Sequence, residues 1–185
     1  MTMHYFHNFK NFTHPESLDL FNPLTVLIGS NGVGKSNLLE AIELLGFLAN
    51  GGLLHEISDI GQNGKIEVRG GLQACPSNQE KLFSFWFSGS AKFKEIVKKF
   101  QYDISICTNE PQAFIDNEVL QIDEKPLFKT VESSSNVHIV EYNNFSRGGK
   151  KPQASISPTQ SAISQYKEFA IKNKKKFLES LTIIN

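Results

Sequence analysis

The spacing of hydrophobic residues divides the first part of the chain into a strand, a loop and a helix. The apolar run Pro23–Ile28 has no helical period and predicts a buried strand. After a glycine-rich stretch, apolar residues recur nearly all round a helix from Leu38 to Leu48. Gly51 and Gly52 can end that helix, because glycine tolerates the left-handed backbone found at helix C-termini.

Downstream of this helix the pattern becomes that of consecutive strands. Strands are predicted at Lys65–Arg69, Leu82–Phe87, Gln101–Cys107, Ala113–Ile122 and Val137–Tyr142. One helix is predicted among them, at Ala91–Phe100, where apolar residues at i, i+3, i+4 and i+7 leave lysines on the opposite face. Segments rich in Ser, Gly, Asn and Pro between Glu132 and Pro158 predict surface loops.

The loop before the helix carries the clearest chemical motif. Residues Gly29–Ser36, GSNGVGKS, fit G-x-x-x-x-G-K-[ST] at every fixed position. Glycines allow a tight turn and let backbone N–H groups approach a polyphosphate, and the helix start adds unpaired donors with a partial positive charge. In such a loop Lys35 is expected to reach the β- and γ-phosphates and Ser36 to bind Mg²⁺. The sequence therefore predicts a phosphate-binding loop.

Two N-terminal stretches carry a resemblance to a known ATPase class. NFKNF at Asn8–Phe12, followed by LTVLIGSNGVGKSNLLEAI at residues 24–42, resembles the opening of RecF/SMC-type members of the ABC ATPase class. Later pieces, including KIEVRGGLQ, FSFWFSG and VHIVEYNNF, resemble a bacterial AAA-type branch found in genome maintenance and anti-phage defence. The resemblance implies an α/β (α+β) P-loop NTPase fold: an ABC-type N-terminal lobe with strand, phosphate loop and helix, then an antiparallel β meander.

The same resemblance implies where ATP and Mg²⁺ bind. Lys10, the basic position after the N-terminal NF, and its neighbour Asn11 are expected near the nucleotide. The expected nucleotide contacts in and after the loop are Ser30, Asn31, Gly32, Val33, Gly34, Lys35, Ser36 and Asn37. A glutamine after the antiparallel lobe joins Mg²⁺ and the attacking water in this class; Gln160 is the candidate, with Gln165 as the alternative. A structural role near a helix start is an equally open interpretation of Gln160.

Hydrolysis needs further groups that the chain does not supply in recognisable form. Asp123 and Glu124 end the run VLQIDE, but a hairpin strand that ends in charged turn residues explains this run better than a Mg²⁺-orienting aspartate. The FSGS sequence at Phe87–Ser90 resembles a signature motif only faintly and lacks the helix that should follow, so we reject it. No histidine follows a second parallel strand as a switch histidine would; the five are His4, His7, His14, His55 and His138.

We interpret the chain as a single P-loop ATPase N-terminal lobe in three parts. These are a nucleotide-binding strand–loop–helix at 1–64, an antiparallel β subdomain with one short helix at 65–145, and a loop with a C-terminal helix at 146–185. The tail reaches an apolar run, Leu181–Ile184, that predicts the start of another strand. We therefore expect a second half of the ATPase beyond this chain, and weak or no turnover by the chain alone.

Two functions remain open from the sequence. In the first, a longer protein binds Mg-ATP, forms a head-to-tail homodimer or higher oligomer through the nucleotide interface, and converts ATP and water to ADP and phosphate in DNA maintenance or anti-phage defence. The alternative is a free-standing, non-hydrolysing nucleotide-binding subunit that regulates an effector such as a nuclease or toxin. A small-molecule or nucleoside kinase is disfavoured, because such enzymes follow the loop helix with parallel βα units.

Composition narrows the remaining possibilities. The chain has 19 basic and 19 acidic residues, so no net charge attracts nucleic acid. Two basic clusters, Arg147–Lys151 and Lys172–Lys176, could make weak contacts with a DNA backbone, although solvated surface is the favoured interpretation. Cys75 and Cys107 fit no metal or redox spacing and are expected to be reduced thiols of a cytoplasmic protein. No signal sequence is evident, and no apolar run approaches the roughly 18 residues of a membrane span.

Overall fold

The fold is a mixed α/β arrangement in which one helix packs on a large antiparallel sheet. The computed structural model describes residues 3–14, 16–19, 26–93, 96–109, 111–143 and 150–166. Its elements are β1 (Met3–His7), β2 (Glu16–Asp19), α1 (Lys35–Ala49), β3 (Ile57–Ser58), β4 (Ile66–Glu67), β5 (Leu82–Phe93), β6 (Ile96–Cys107), β7 (Phe114–Ile122), β8 (Lys125–Ser133), β9 (His138–Tyr142) and β10 (Gln153–Ile156). Within these residues no helix is long and apolar enough to cross a membrane.

The large sheet has eight strands in the order β10-β9-β8-β7-β6-β5-β1-β2. All its pairings are antiparallel, and β5 to β9 each pair with the next strand in the chain. The exception to this sequential order is β1, which pairs with β5 as well as with β2. The predicted antiparallel meander after the loop helix is confirmed.

The core lies between α1 and one face of the large sheet. The helix buries Leu38, Ala41, Leu44 and Leu48 on its sheet side. Each strand presents alternate residues to this face, since successive side chains of a strand point to opposite sides. Around β1 and β5 the face is filled by aromatic rings at centroid separations of 5.1–5.7 Å; they are Phe6, Phe9, Phe12, Phe83 and Phe85. This packing fixes the position of α1, and so of the loop at its start.

The helix predicted at Ala91–Phe100 is wrong. Residues 91–93 belong to β5 and residues 96–100 to β6, and these strands pair over twelve residue pairs from Leu82↔Cys107 to Phe93↔Ile96. Two apolar residues of the supposed helical stripe, Ile96 and Val97, do not face a core, since both are exposed. A ten-residue helix is marginal on its own, so the continuous hydrogen-bond ladder of the hairpin outweighs the local helical spacing.

The Asp123–Glu124 pair forms the turn between β7 and β8. Both residues have positive φ, 49° and 64°, the left-handed conformation that a two-residue hairpin turn of this type requires. Asp123 accepts hydrogen bonds from Lys98 Nζ at 2.8 Å and from the Lys99 backbone N–H at 3.0 Å. The prediction of charged turn residues after a hairpin strand is confirmed. The strand β8 that follows was not predicted.

The predicted end of α1 is confirmed. The strand predicted at Pro23–Ile28 is not observed in residues 26–28, the part of it that the structure describes. The helix ends at Ala49, and Gly51 has φ +92°. Residues 21–25 lie outside the described part of the chain. From Val26 to Ile28 the backbone forms no strand, and these two side chains are 68% and 92% exposed. No described strand pairs with this stretch, so nothing there supplies the ladder hydrogen bonds that a strand needs.

Other predicted elements differ in extent or lie outside the description. The strand predicted at Lys65–Arg69 is reduced to β4, which pairs in parallel with β3 and takes no part in the large sheet. In the tail, a helical turn is described at 162–166. The remainder, with Lys172–Lys176 and Leu181–Ile184, lies outside the described residues, as does most of Arg147–Lys151.

Candidate nucleotide-binding site

The glycine-rich loop, residues 29–36, leads directly into the first turn of α1. Gly34 is the N-cap residue with φ +98°, and no side chain caps the helix. The first turn also contains no acidic residue. The first N–H groups of a helix have no partner within the helix itself. An uncapped helix start of this kind fits an anionic ligand, because donors and the positive end of the helix dipole point outward together.

The Lys35 side chain folds back onto the loop that precedes it. Its Nζ donates to the carbonyl oxygens of Gly29 and Ser30, each at 2.7 Å. The ammonium group is thus held inside the curve of the loop, next to the uncapped helix start. Ser36, the predicted Mg²⁺ ligand, lies exposed in the first helical turn, and so do Asn31, Gly32 and Val33 in the loop itself.

The Asn11 side chain packs directly beside Gly34. A Cβ at Gly34 would lie 2.5 Å from Asn11 Nδ2, so a side chain here would displace the Asn11 carboxamide, and the φ of Gly34 itself favours glycine. Asn11 Oδ1 in turn accepts a hydrogen bond from Asn37 Nδ2 at 2.6 Å. The structure therefore brings two of the predicted contact residues, Asn11 and Asn37, together at the loop.

Lys10 lies close by, but its ammonium group contacts other parts of the protein. Its Nζ donates to the carbonyl oxygen of Arg69 and lies 3.4 Å from Glu40 Oε2. Arg69 forms an ion pair with the other oxygen of Glu40 and also donates to Asn37 Oδ1. Glu40 and Arg69 were not predicted as site residues. Their contacts join three segments far apart in sequence, and no local motif signals such contacts.

Gln160 is not placed beside the loop. Its Nε2 donates to the Gly51 carbonyl oxygen at 3.0 Å, just beyond the C-terminal end of α1. The 15-residue helix separates this point from Ser36 by about 20 Å. Gln165 bonds Ser157 and Gln160 backbone groups instead. Both glutamines thus make structural contacts in the described residues, and the role of Gln160 at Mg²⁺ and the attacking water stays a prediction.

The remaining candidates have structural positions. The FSGS sequence at Phe87–Ser90 lies inside β5 with no helix after it, as its rejection requires. His138 is buried, with Nε2 3.0 Å from Thr130 Oγ1, and burial lowers its pKa to about 4. Burial also lowers the pKa of His4, which stacks on Phe87. The free thiols Cys75 and Cys107 are both buried, and burial raises the pKa of Cys75 to about 12.

A buried carboxylate outside the loop anchors the last helical turn that the structure describes. Glu118 on β7 is fully buried and accepts hydrogen bonds from Tyr102 Oη and Ser161 Oγ, each at 2.7 Å. It also accepts the backbone N–H groups of Ala162 and Ile163. Burial raises the pKa of Glu118. Glu118 thus caps this helical turn from the sheet, far from the phosphate loop along the chain.

A family model described as "AAA domain, putative AbiEii toxin, Type IV TA system" matches residues 24–85. This region contains the loop, α1 and the first part of β5. The match covers less than half of the chain, and it includes Lys35, Glu40 and Arg69 but not Lys10 or Asn11.

Two groups of relatives are similar to the chain. The DNA replication and repair protein RecF of Crocosphaera subtropica is 52% identical over 42 residues, which are 23% of this chain and 11% of that protein. RecF of Parasynechococcus marenigrum is 66% identical over 32 residues, 17% of this chain and 9% of that protein. An ATP/GTP phosphatase of Helicobacter pylori is 26% identical over 194 residues, 96% of this chain and 48% of that protein.

These similarities support a RecF/SMC-like, AAA-type P-loop ATPase, through matches that are partial and N-terminal. The chain spans about a tenth of the RecF proteins and 48% of the Helicobacter protein. The relatives are thus longer than the segment they share with this chain.

Proposed function

We propose that this chain is the ATP-binding portion of an ABC-type, RecF/SMC-like ATPase that binds Mg-ATP at the loop of residues 29–36. The observation that carries the proposal is the Lys35 ammonium, held within the loop beside the uncapped start of α1. The two carbonyl oxygens that Lys35 contacts are neutral acceptors. Phosphate oxygens are charged acceptors and bind an ammonium group more strongly.

The loop also has room for a polyphosphate. A Cβ at Gly32 would meet nothing within 4 Å, so the space in front of this residue is open. Ser36 is exposed in the first helical turn, where its hydroxyl would hold Mg²⁺. When bound there, Mg²⁺ neutralises phosphate charge. The chain's own residues bind and orient the phosphates through Lys35 and the helix N–H groups.

Hydrolysis of ATP to ADP and phosphate belongs, in this proposal, to a longer protein that pairs head-to-tail with a second copy. The names of the similar proteins favour this activity: one is an ATP/GTP phosphatase and the others are DNA replication and repair proteins. DNA maintenance is accordingly one proposed setting, and anti-phage defence is the other. The rest of the longer protein would supply the hydrolytic groups for which this chain offers no candidate, and the partner copy would supply the signature motif across the interface.

The test is binding of the fluorescent analogue mant-ATP, with Mg²⁺, to the full chain. Lys35→Ala should abolish binding, while Lys81→Ala, which removes an exposed lysine away from the loop, should leave it unchanged. If the Lys35→Ala chain and the unsubstituted chain bound mant-ATP with equal affinity, residues 29–36 would not be the nucleotide site. Phosphate release is measured in parallel on the longer protein. Binding without any release would favour the alternative, a non-hydrolysing regulatory subunit.

A further inference from the structure

Glu40 on α1 holds two cations beside the phosphate loop. One carboxylate oxygen is paired with the Arg69 guanidinium, and the other lies 3.4 Å from Lys10 Nζ. The side chains of Glu40 and Lys10 are only 14% and 11% exposed. Solvent and salt therefore screen this cluster less than they screen an ordinary surface ion pair.

The cluster is connected to the loop by a continuous series of hydrogen bonds. Arg69 bonds Asn37 Oδ1, and Asn37 bonds Asn11 Oδ1. The other end of the Asn11 carboxamide lies against Gly34. Each member is fixed by the next, so the loss of Glu40 would release Arg69, then the Asn37 and Asn11 amides that define this side of the loop.

The backbone around these side chains gives the cluster firm support. Lys10 lies in a turn with φ +55°, and its N–H donates to the Cys75 carbonyl oxygen at 2.7 Å. Gly70, next to Arg69, donates its N–H to Asp59 Oδ1 at 2.6 Å. Side chains point toward the N-terminus of their helix, which directs Glu40 back toward the loop. Two anchored turns and one helix thus meet at a single carboxylate.

We propose that Glu40 is a positioning residue of the nucleotide site, which holds Arg69 and Lys10 so that Asn37 and Asn11 shape the loop around Gly34. This inference rests on the proposed function and adds to it a residue that makes no contact with the nucleotide. A carboxylate near a phosphate site repels anions directly, so its removal by itself would strengthen nucleotide binding. Positioning through the cluster predicts the opposite sign, because the loop loses its fixed geometry.

The sign of the change in affinity is the test. For Glu40→Gln in the full chain we expect mant-ADP with Mg²⁺ to bind about tenfold more weakly, the effect typical of a lost supporting contact. The matched control is Glu43→Gln, which removes the same charge from an exposed position on the same helix. Its affinity should stay equal or rise slightly. Unchanged or tighter binding by Glu40→Gln would overturn the proposal.

A charge-conserving variant separates positioning from packing. Glu40→Asp keeps the charge and should recover part of the lost affinity, whereas the nearly isosteric Gln should not. If Glu40 only filled space, Gln would behave like Glu and Asp would be the poorer substitute. That order would contradict the proposal.

A second variant serves if Glu40→Gln does not fold. Arg69 is 49% exposed, so Arg69→Ala removes little packing, and it should weaken mant-ADP binding in the same direction. The double variant, Glu40→Gln with Arg69→Ala, should bind mant-ADP with the affinity of whichever single variant binds less tightly, because both residues act through one cluster. Additive losses would show independent roles and overturn the proposal. Lys35→Ala separates this inference from the proposed function. If the loop is not the nucleotide site, Lys35→Ala leaves mant-ADP binding unchanged; if the loop is the site and only the role of Glu40 is wrong, Lys35→Ala still abolishes binding.

Discussion

Glu118 on β7 accepts the backbone N–H of Ala162 at 2.6 Å, across 44 residues of sequence. Burial of the carboxylate is offset by four donors, two from hydroxyl groups and two from the backbone. This contact ties the last described helical turn to the middle of the sheet. It therefore makes stability sensitive to one side chain remote from the phosphate loop.

Replacement of Glu118 by Gln is expected to lower the free energy of unfolding by about 2 kcal/mol, because the new NH₂ group faces a donor and leaves it unsatisfied. Urea unfolding followed by the fluorescence of Trp86, the one tryptophan of the chain, measures this. Glu132→Gln, at an exposed site on β8, is the control and should change the value by less than about 0.5 kcal/mol. Equal stabilities of the two variants would contradict the role given to Glu118.

We expect the buried His138 to make the folded chain less stable in mild acid. Its folded-state pKa is about 4, against about 6.5 for an unperturbed histidine. Between these values the unfolded chain binds the proton and the folded chain does not. The contribution of His138 is therefore complete above about pH 6.5 and is lost as the pH falls through about 4. His138→Gln should reduce the drop in unfolding free energy between pH 7 and pH 4.5 by about 2 kcal/mol.

The comparison for this prediction is His55→Gln, which removes an exposed histidine. Its pH dependence should match that of the unsubstituted chain. If the two histidine variants gave the same curve, the acid sensitivity would have to come from other groups.

The β7–β8 turn predicts a stabilising substitution. Glu124 is exposed and has φ +64°, a conformation that glycine adopts without a steric penalty. Glu124→Gly should raise the free energy of unfolding by about 0.5 kcal/mol, since the relief of backbone strain exceeds the entropy that glycine adds to the unfolded chain. Thermal unfolding checks this. Glu132→Gly, within β8, should destabilise instead, and the same sign for both variants would refute the explanation.

Two glycines of one helix region predict opposite results. Gly34→Ala should abolish mant-ATP binding, because its φ is +98° and a Cβ would collide with Asn11. Gly46→Ala, inside α1, meets nothing within 4 Å and should stabilise the fold by about 0.5–1 kcal/mol with binding retained. Nucleotide titration and thermal unfolding of both variants test the pair. Normal binding by Gly34→Ala would disprove the close packing of Asn11 on the loop.

The sequence predicts those features that depend on neighbouring residues. The loop motif, the extent of α1 and the turn at Asp123–Glu124 are local, and the structure has each of them where expected. The helix predicted at Ala91–Phe100 is wrong because that prediction also used only neighbouring residues. Its spacing is locally helical, yet pairing across the β5–β6 hairpin decides the outcome.

The site residues follow a similar division. Lys35 and Ser36 are identified by a contiguous motif, whereas Glu40 and Arg69 become neighbours only after the chain has folded. Gln160 follows the strands, as the expected glutamine does, but its position relative to the loop depends on the fold. In the described structure it lies beyond the C-terminal end of α1.

The pairing of β1 with β5 has a consequence for the order of folding. Strands β5 to β10 form from successive hairpins, which need only short loops to close. β1 must instead find a partner roughly 80 residues away, and it brings Lys10 and Asn11 with it. We therefore expect slow closure of this long-range contact to limit the rate at which nucleotide-binding competence appears during refolding, after most of the sheet has already formed.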